Sequence, residues 1–374
     1  MTSTANSSEE AVNSVSERAV AKPVEFRATG GEFFGIWIVN AILTVLTLGI
    51  YSAWATVRVR KYFAGNTYVE GVPLQYHAKG IQLLIGRLLA IGVFALLALL
   101  TYVAPLVGWA PLIIGGLIIA IIVALPWVLN RAFRFNNRMT SWRNVRFDWT
   151  ASYGSAFVIL YLWPLVSIIP FMAPFLWRAQ QEFLGNSSAF GRQPFALKTG
   201  IGPYFSTLFI LIGVGLIFLL LATPMIIGLV VAGFAGTYDQ PNLVENEQFL
   251  VSVGGAFIGI YAVGIFIGLI SYSIYFARLR NLSVNNLTLT NVAKFESNAH
   301  PMRLFWILIS NGFLMVITVG LFTPWAIVRY ERFIRTTVKT VVVGDLDALI
   351  DHENEAGGAF GAELVGLEGI DVGI

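Results

Sequence analysis

Three arginines, Arg58, Arg178 and Arg329, stand at matching places at the ends of three short apolar blocks. Two chemistries suit them. A guanidinium at the end of an apolar helix snorkels to the aqueous interface and fixes the orientation of its segment. Three of them converging on one water-facing cavity would instead bind an anionic headgroup or solute, because the guanidinium fork matches a carboxylate or phosphate. An arginine at the bilayer centre costs roughly 2.5–3.5 kcal/mol, so retaining one in each block makes sense where depth and pairing offset that cost. Asn40 and Asn311 occupy equivalent points inside apolar helices, as do Thr47 and Thr318. An amide in hydrocarbon needs a partner, either across a helix interface or on a polar substrate. These three arginines and two asparagines are the candidate ligand contacts.

Other chemistries find little support. There is no Walker-type phosphate loop, no H-E-x-x-H and no G-x-S-x-G. Cysteine is absent, which removes disulfides and thiolate chemistry. The three histidines, His77, His300 and His352, are far apart in the chain. His77 follows Tyr76 at the end of an extended segment and reads as structural, with a membrane-surface hydrolase or transferase as the competing idea. The apolar blocks carry no Asp or Glu apart from their ends, which argues against a carrier that exchanges a coupling ion on a buried carboxylate. No catalytic residue, metal site or cofactor is expected, and nucleic acid is not an expected partner. Membrane lipids are.

These residues sit in a chain too apolar for water. Of 374 residues 56% are hydrophobic and 12% charged, against about 25% charged in soluble domains, and the mean hydropathy is +0.73. Blocks 82–105, 108–130, 205–235 and 251–277 are long enough to span a bilayer, at about 20 residues each. Blocks 33–57, 155–177 and 304–328 behave differently. Every Lys and Arg can be placed on one side if these three turn back on themselves, at Thr47-Leu48-Gly49, near Pro170 and at Thr318-Val319-Gly320. The connections 101–110 and 236–250 carry no basic residue, so the positive-inside rule puts them outside and both termini in the cytoplasm. The short blocks are then re-entrant helical hairpins or short crossing pairs that thin the bilayer. On the 251–277 helix, Gly255, Gly259, Gly264 and Gly268 mark a close-packing face.

The chain also repeats itself. Shifted by 271 residues, Phe34 falls on Phe305 and the segment 34–63 matches without a gap, with identity at Asn40, Thr47, Gly49, Trp54 and Arg58 among twelve positions. Each apolar pair leads into an extended segment. Val69 to Tyr76, Trp142 to Trp149 and Val284 to Leu289 read as β-hairpins with Glu-Gly, Arg-Asn and Asn-Asn at the turn, where Gly and Asn tolerate positive φ. Phe190 to Phe195 is a poorer copy and 336–343 a degenerate last one. Residues 1–22 read as a disordered tail. From Gly344 the chain is acidic without a basic residue. It is either a solvated tail or a cap folded back on the basic clusters through Phe360, Leu364 and Ile370.

The block T-L-G-I-Y-x-x-W-A-x-V-R from Thr47 to Arg58, with Asn66-Thr67 and Tyr76-His77 after it, resembles the YjgN-like family of bacterial inner-membrane proteins, known by domain of unknown function 898. The resemblance covers roughly residues 24–374. The middle copy departs from it, with Ile169-Pro170-Phe171 at the turn and Pro174 where Trp54 sits. It implies a multi-pass inner-membrane protein and carries no substrate or functional residues with it.

The expected fold is a membrane all-α bundle built from internal repeats, with four long transmembrane helices, three short or re-entrant helical hairpins and small cytoplasmic β-hairpins. The repeat-built domain spans 23–343, between the two tails. The expected function is a conduit or binding protein for an anionic or amphiphilic, lipid-like molecule. A structural component of the envelope and a membrane-surface enzyme are the alternatives.

Overall fold

A computed structural model describes residues 21–238, 247–290 and 292–364. The chain divides into two compact units. One comprises the described residues up to Thr199, Ser283–Asn298 and those from Pro324 onward; the other comprises Gly200–Leu282 and Ala299–Thr323.

In the first unit, helices come in pairs and each pair leads into strands. Helices α1 (Gly30–Leu46) and α2 (Ser52–Gly65) are joined by a turn that the sequence dictates atom by atom. Leu48 and Gly49 take φ of 50° and 91°, and the Gly49 N–H reaches back to Thr44 O at 2.7 Å. The Thr47 hydroxyl donates to Leu43 O at 2.7 Å and accepts from the Tyr51 N–H at 2.9 Å. Together these bonds satisfy helix-end groups that the helix itself leaves without partners. The turn between α9 (Pro301–Ile317) and α10 (Thr323–Thr336), which lies in the second unit, has the same bonds. Thr318 Oγ1 donates to Leu314 O at 2.7 Å and accepts from Phe322 N at 3.0 Å, with Gly320 at φ 84°. At the two apices Leu48 and Val319 are 95% and 91% exposed, so each hairpin ends in an apolar tip.

Helices α3 (Gly80–Val103) and α4 (Ala110–Arg138) are long and apolar. Pro126 lies inside α4 and has no N–H to give Ile122. The Tyr161 hydroxyl supplies the missing donor, at 2.5 Å from Ile122 O, and the Tyr153 hydroxyl donates to the neighbouring Val123 O at 2.8 Å. Both tyrosines belong to α5 (Tyr153–Val166), which widens to a π turn over Val158–Leu162. Pro164 explains the widening, since it cannot bond Leu160 and the Trp163 N–H turns to Val158 O instead. A short turn at Pro170–Met172 leads into α6 (Ala173–Asn186).

The strands form a ring. They are β1 (Lys22–Pro23), β2 (Glu25–Phe26), β3 (Thr67–Val69), β4 (Val72–Pro73), β5 (Gln75–Tyr76), β6 (Thr140–Trp142), β7 (Val145–Trp149), β8 (Ser188–Phe190), β9 (Gln193–Leu197), β10 (Leu287–Leu289), β11 (Ala293–Ser297) and β12 (Val338–Val342). Two antiparallel sheets result, in the orders β1-β12-β11-β10-β9-β8-β7-β6-β5 and β2-β3-β4. Only single residues, Val24 and Leu74, separate β1 from β2 and β4 from β5. Val24 N–H bonds Val338 O and Leu74 N–H bonds Thr67 O, each at 2.9 Å. Counting each interrupted pair as one bent strand, the twelve strands become ten, and every one has a neighbour on both sides. A closed ladder has no edge.

Two turns are as the sequence predicts. Glu70-Gly71 and Arg143-Asn144 all have positive φ and join the paired residues Val69–Val72 and Trp142–Val145. Gly191-Arg192 closes the third hairpin. The fourth differs from expectation. Asn285-Asn286 ends a helix, α8 (Glu247–Asn285), and the turn lies between the paired Leu289 and Ala293. The fifth is no degenerate hairpin but a single strand, β12, whose partner β1 comes from the other end of the sequence. Lys22, assigned to a tail by sequence, opens that strand, and residues 1–20 lie outside the described residues. Lys22 Nζ meets Glu70 at 2.7 Å across the closure; this hydrogen bond first, and the carboxylate charge second, hold the ammonium above the usual lysine range.

Inside the ring, Trp142, Val145, Phe190, Leu289 and Ala293 form a buried core flanked by Phe147, Phe195 and Phe295. Alternation accounts for it: Arg146, Lys294 and Glu296 point out between inward neighbours. Helix α11 (Leu346–Leu364) completes the core with Leu346, Leu349 and Ile350, the last 2% exposed. Asp347 pairs with Arg143 at 2.6 Å, and Glu353 accepts the Arg192 N–H at 3.0 Å. A solvated tail is therefore excluded over this stretch. The cap is built from its first two turns, while the side chains of Phe360 and Leu364, and Ile370, lie outside the described residues.

In the second unit, α7 (Gly202–Tyr238) packs on α8. Arg278 donates to Thr207 Oγ1 at 2.9 Å and Ser206 Oγ at 2.7 Å. A Cβ at Gly259 would run into Met225, and Gly264 lies beside Phe218. Gly255 and Gly268 meet nothing within 4 Å, so the close-packing face is narrower than its glycine spacing suggests. Among the described residues, four helical segments are long and apolar enough to cross a membrane: Gly80–Leu106, Ala110–Arg138, Gly202–Val231 and Val253–Asn285.

Candidate functional site

A cavity of about 340 Å³ lies in the first unit where the ends of α4, α6 and α8 meet strands β7 to β10. Phe147 and Phe195 line it and also flank the core inside the ring, so the cavity abuts the ring's interior. Leu184, Leu197 and Leu287 add to its apolar wall. Its polar groups are amides and hydroxyls. Gln181 accepts a hydrogen bond from the Ser283 hydroxyl at 2.6 Å, and Asn137 donates to Asp148 O at 3.3 Å. Among the described residues, no charged side chain lines it. The size and the mostly apolar wall with a few fixed polar groups are those of a small-ligand pocket.

The helix ends are pinned by asparagines. Asn186 both donates to Leu197 O (3.1 Å) and accepts from Leu197 N (2.6 Å), and Asn285 accepts from Ser297 N at 2.5 Å. Each side-chain amide thus replaces a backbone partner for the returning strand, which fixes helix to strand at the cavity rim. Gly185 permits α6 to approach β9 closely, since a Cβ there would lie 2.6 Å from Leu197 Cβ.

A second cavity, of about 230 Å³, lies among α4, α5 and α6. It is lined by Leu129, Phe133, the π-turn residues Ile159 and Leu160, and Leu184, with Asn130, Gln180 and Gln181 as polar groups. Asn130 is fully engaged, accepting from the Trp149 indole at 3.1 Å and donating to Ser152 O at 2.9 Å.

The residues singled out by sequence are placed apart from these cavities. Arg58 and Arg329 are exposed. Arg178 pairs with Glu182 one helical turn on, at 2.9 Å. None of the three lines either cavity. Asn40 and Asn311 are buried, 6% and 5% exposed, and both polar atoms of the Asn40 amide lack a partner among the described residues. The arginines with the most specific bonds are others. Arg87 reaches Ser52 (2.5 Å) and Thr56 (2.8 Å), and Arg60 bonds the Tyr76 hydroxyl at 2.9 Å and the Asn136 carbonyl. His77 bonds Ser141 Oγ at 2.7 Å, but Ser141 is 1% exposed. Sequence reasoning passed over Gln181 and Leu184. The only signal was two adjacent glutamines, Gln180-Gln181, in a helix otherwise rich in large apolar residues.

The family model described as "Bacterial protein of unknown function (DUF898)" matches residues 21–367. The chain belongs to this family. It is 26% identical over 364 residues to a protein of Salmonella typhimurium named "Inner membrane protein YjgN", covering 87% of this chain and 89% of that protein. Proteins of the same name from Escherichia coli O157:H7 and strain K12 are 29% and 30% identical over 145 residues, 38% of this chain and 35% of theirs. No solved structure matches. The four apolar spans and the inner-membrane relatives together make this a multi-pass protein that fits the bacterial inner membrane.

Proposed function

We propose that the protein binds, and gives passage to, a lipid-like amphiphile whose acyl chain occupies the cavity between the helix ends and the strand ring. The observation that carries this is the cavity itself, apolar, rimmed by amides and without a charged lining group, set against a closed ring in a membrane protein. Rings of about eight strands are filled by side chains or hold one small ligand, and ten give more room. The five successive helix pairs and the matching turns at Thr47 and Thr318 favour an origin by internal repetition, a plan in which membrane proteins set a site between repeats. The charge distribution favours the ring, α11 and both termini in the cytoplasm. The exposed apolar tips at Leu48 and Val319, with Arg58 only ten residues from Leu48 (about 15 Å of helix), favour re-entrant hairpins whose tips rest in hydrocarbon. The headgroup stays outside the cavity, and Arg58, Arg178 and Arg329 remain candidate contacts for an anionic one, although none of them lines it. The unpartnered amide of Asn40 remains a candidate polar contact in the first unit, and the buried Asn311 a separate candidate within the second.

The test is native mass spectrometry of protein released from its own membrane. Wild type is expected to carry a bound amphiphile mass. Ser188→Trp, which fills the cavity from β8, is expected to lose that mass while keeping its elution as a folded species. Bare protein in both would favour a structural role in the envelope.

A further inference from the structure

The two cavities share a wall. Gln181 and Leu184 line both, and the lining residues advance together along the same two helices. On α4 the smaller cavity touches Leu129, Asn130 and Phe133, and the larger touches Asn137. On α6 the smaller ends at Leu184 and the larger continues to Gly185 and Ser188 at the start of β8. One helical turn is about 5.4 Å, so the cavities are stacked end to end rather than placed on opposite faces. Leu184 is 41% exposed, so its side chain is accessible where it lines both cavities.

Resting on the reading above, we infer that the smaller cavity is a lateral port by which an acyl chain passes from the bilayer to the ring, and that Gln181 and Leu184 are the partition it must displace. Three features make the port suitable. Its bilayer end is formed by the π turn, where Ile159 and Leu160 stand beside the widened backbone. Its frame is rigid: Phe133 stacks on Trp149 at 4.7 Å, Phe183 meets the same indole edge-on at 5.5 Å, and Asn130 is held on both sides. The partition is held by little. Among the described residues Gln181 is tethered by one hydrogen bond, accepted from the Ser283 hydroxyl, and leucine rotamers exchange within the space Leu184 already has. Neither cavity has a charged lining group, so the species that passes is the hydrocarbon chain.

The probe is a phosphatidylethanolamine bearing a diazirine near the end of one acyl chain, mixed into phosphatidylethanolamine–phosphatidylglycerol vesicles that hold the full-length protein. A free fatty acid with the same diazirine is tested in parallel and separates the two sources of chain. After photolysis, wild type is expected to carry adducts on the peptide containing Ile159 and Leu160 and on those containing Phe195 and Leu287. Leu184→Trp is expected to keep the first and lose the others. Leu184→Ala, a milder change, is expected to increase labelling at Phe195, which guards against a tryptophan variant that fails to fold. Labelling at Phe195 with none at Ile159, or undiminished by Leu184→Trp, would overturn the port while leaving ligand binding intact. Absence of label at all these sites would overturn both.

Discussion

Protein lacking Lys22–Phe26 fails to reach its folded state in the membrane. The five residues are short, but they fill the gap between β12 and β3. Without them both neighbours become free edges, which invite pairing with other chains. The buried Val24 and Phe26 are lost as well, the latter packed on Phe63 at 6.0 Å and beneath the Arg335 guanidinium at 5.4 Å. Burial of two such side chains contributes roughly 1.5–3 kcal/mol each, and the lost ladder bonds about 1 kcal/mol each. The sum is roughly 5 kcal/mol or more, comparable to the stability of a small domain. Size-exclusion chromatography in mild detergent reads the result: the peak at which wild type elutes is expected to vanish into aggregate. A peak of normal height at the wild-type position would mean that the ring does not depend on its N-terminal strand.

Gly80→Val and Gly30→Val form the second prediction, and they stand or fall together. Gly80 begins α3 beneath the Trp54 indole, where a Cβ would lie 2.5 Å from Trp54 Cδ1. Gly30 begins α1 beneath Trp325, where a Cβ would penetrate the ring further still. Trp54 and Trp325 correspond in the 271-residue repeat, so the contact that joins α2 to the next helix in sequence also joins α10 back to α1. The Phe34 ring, stacked on Trp325 at 5.1 Å, limits where that indole could retreat. Each valine is expected to cost about 1–3 kcal/mol by overpacking, seen as a lowered unfolding temperature in detergent. Trp54→Ala should recover part of the loss in Gly80→Val and nothing in Gly30→Val, as expected of a coupling confined to touching residues. Equal recovery in both would show that the glycines act through something other than these indoles.

Local chemistry was legible in the sequence, and distant pairing was not. The Thr-x-Gly turns are written in full, because a threonine that bonds its own helix and a glycine with positive φ lie within three residues. The turns Glu70-Gly71 and Arg143-Asn144 could be read for the same reason. Asn285-Asn286 misled because asparagine suits a helix end as well as a hairpin turn. Closure of the ring could not be seen, since Lys22 and Thr340 are remote in sequence and KPVEF is too short to show a strand period. Likewise α11 reads as acidic and solvated until Leu346, Leu349 and Ile350 meet the hairpin cores. The arginines were chosen for equivalence in the repeat. The cavities instead depend on packing among four helices and four strands, where a glutamine and a leucine carry no special pattern.

The closed ring can be tested with two cysteines, against no background, since the chain has none. Lys339 on β12 faces Glu296 on one side and Pro23 on the other. Mild oxidation of Glu296→Cys/Lys339→Cys in native membranes is the control for strand geometry, and antiparallel neighbours lie within disulfide reach. Pro23→Cys/Lys339→Cys is the test. Efficient cross-linking within one chain in both variants is the expected result, read as a mobility shift that reductant reverses. A control that cross-links while Pro23→Cys/Lys339→Cys does not would leave the ring open, and the cavity account would lose its frame.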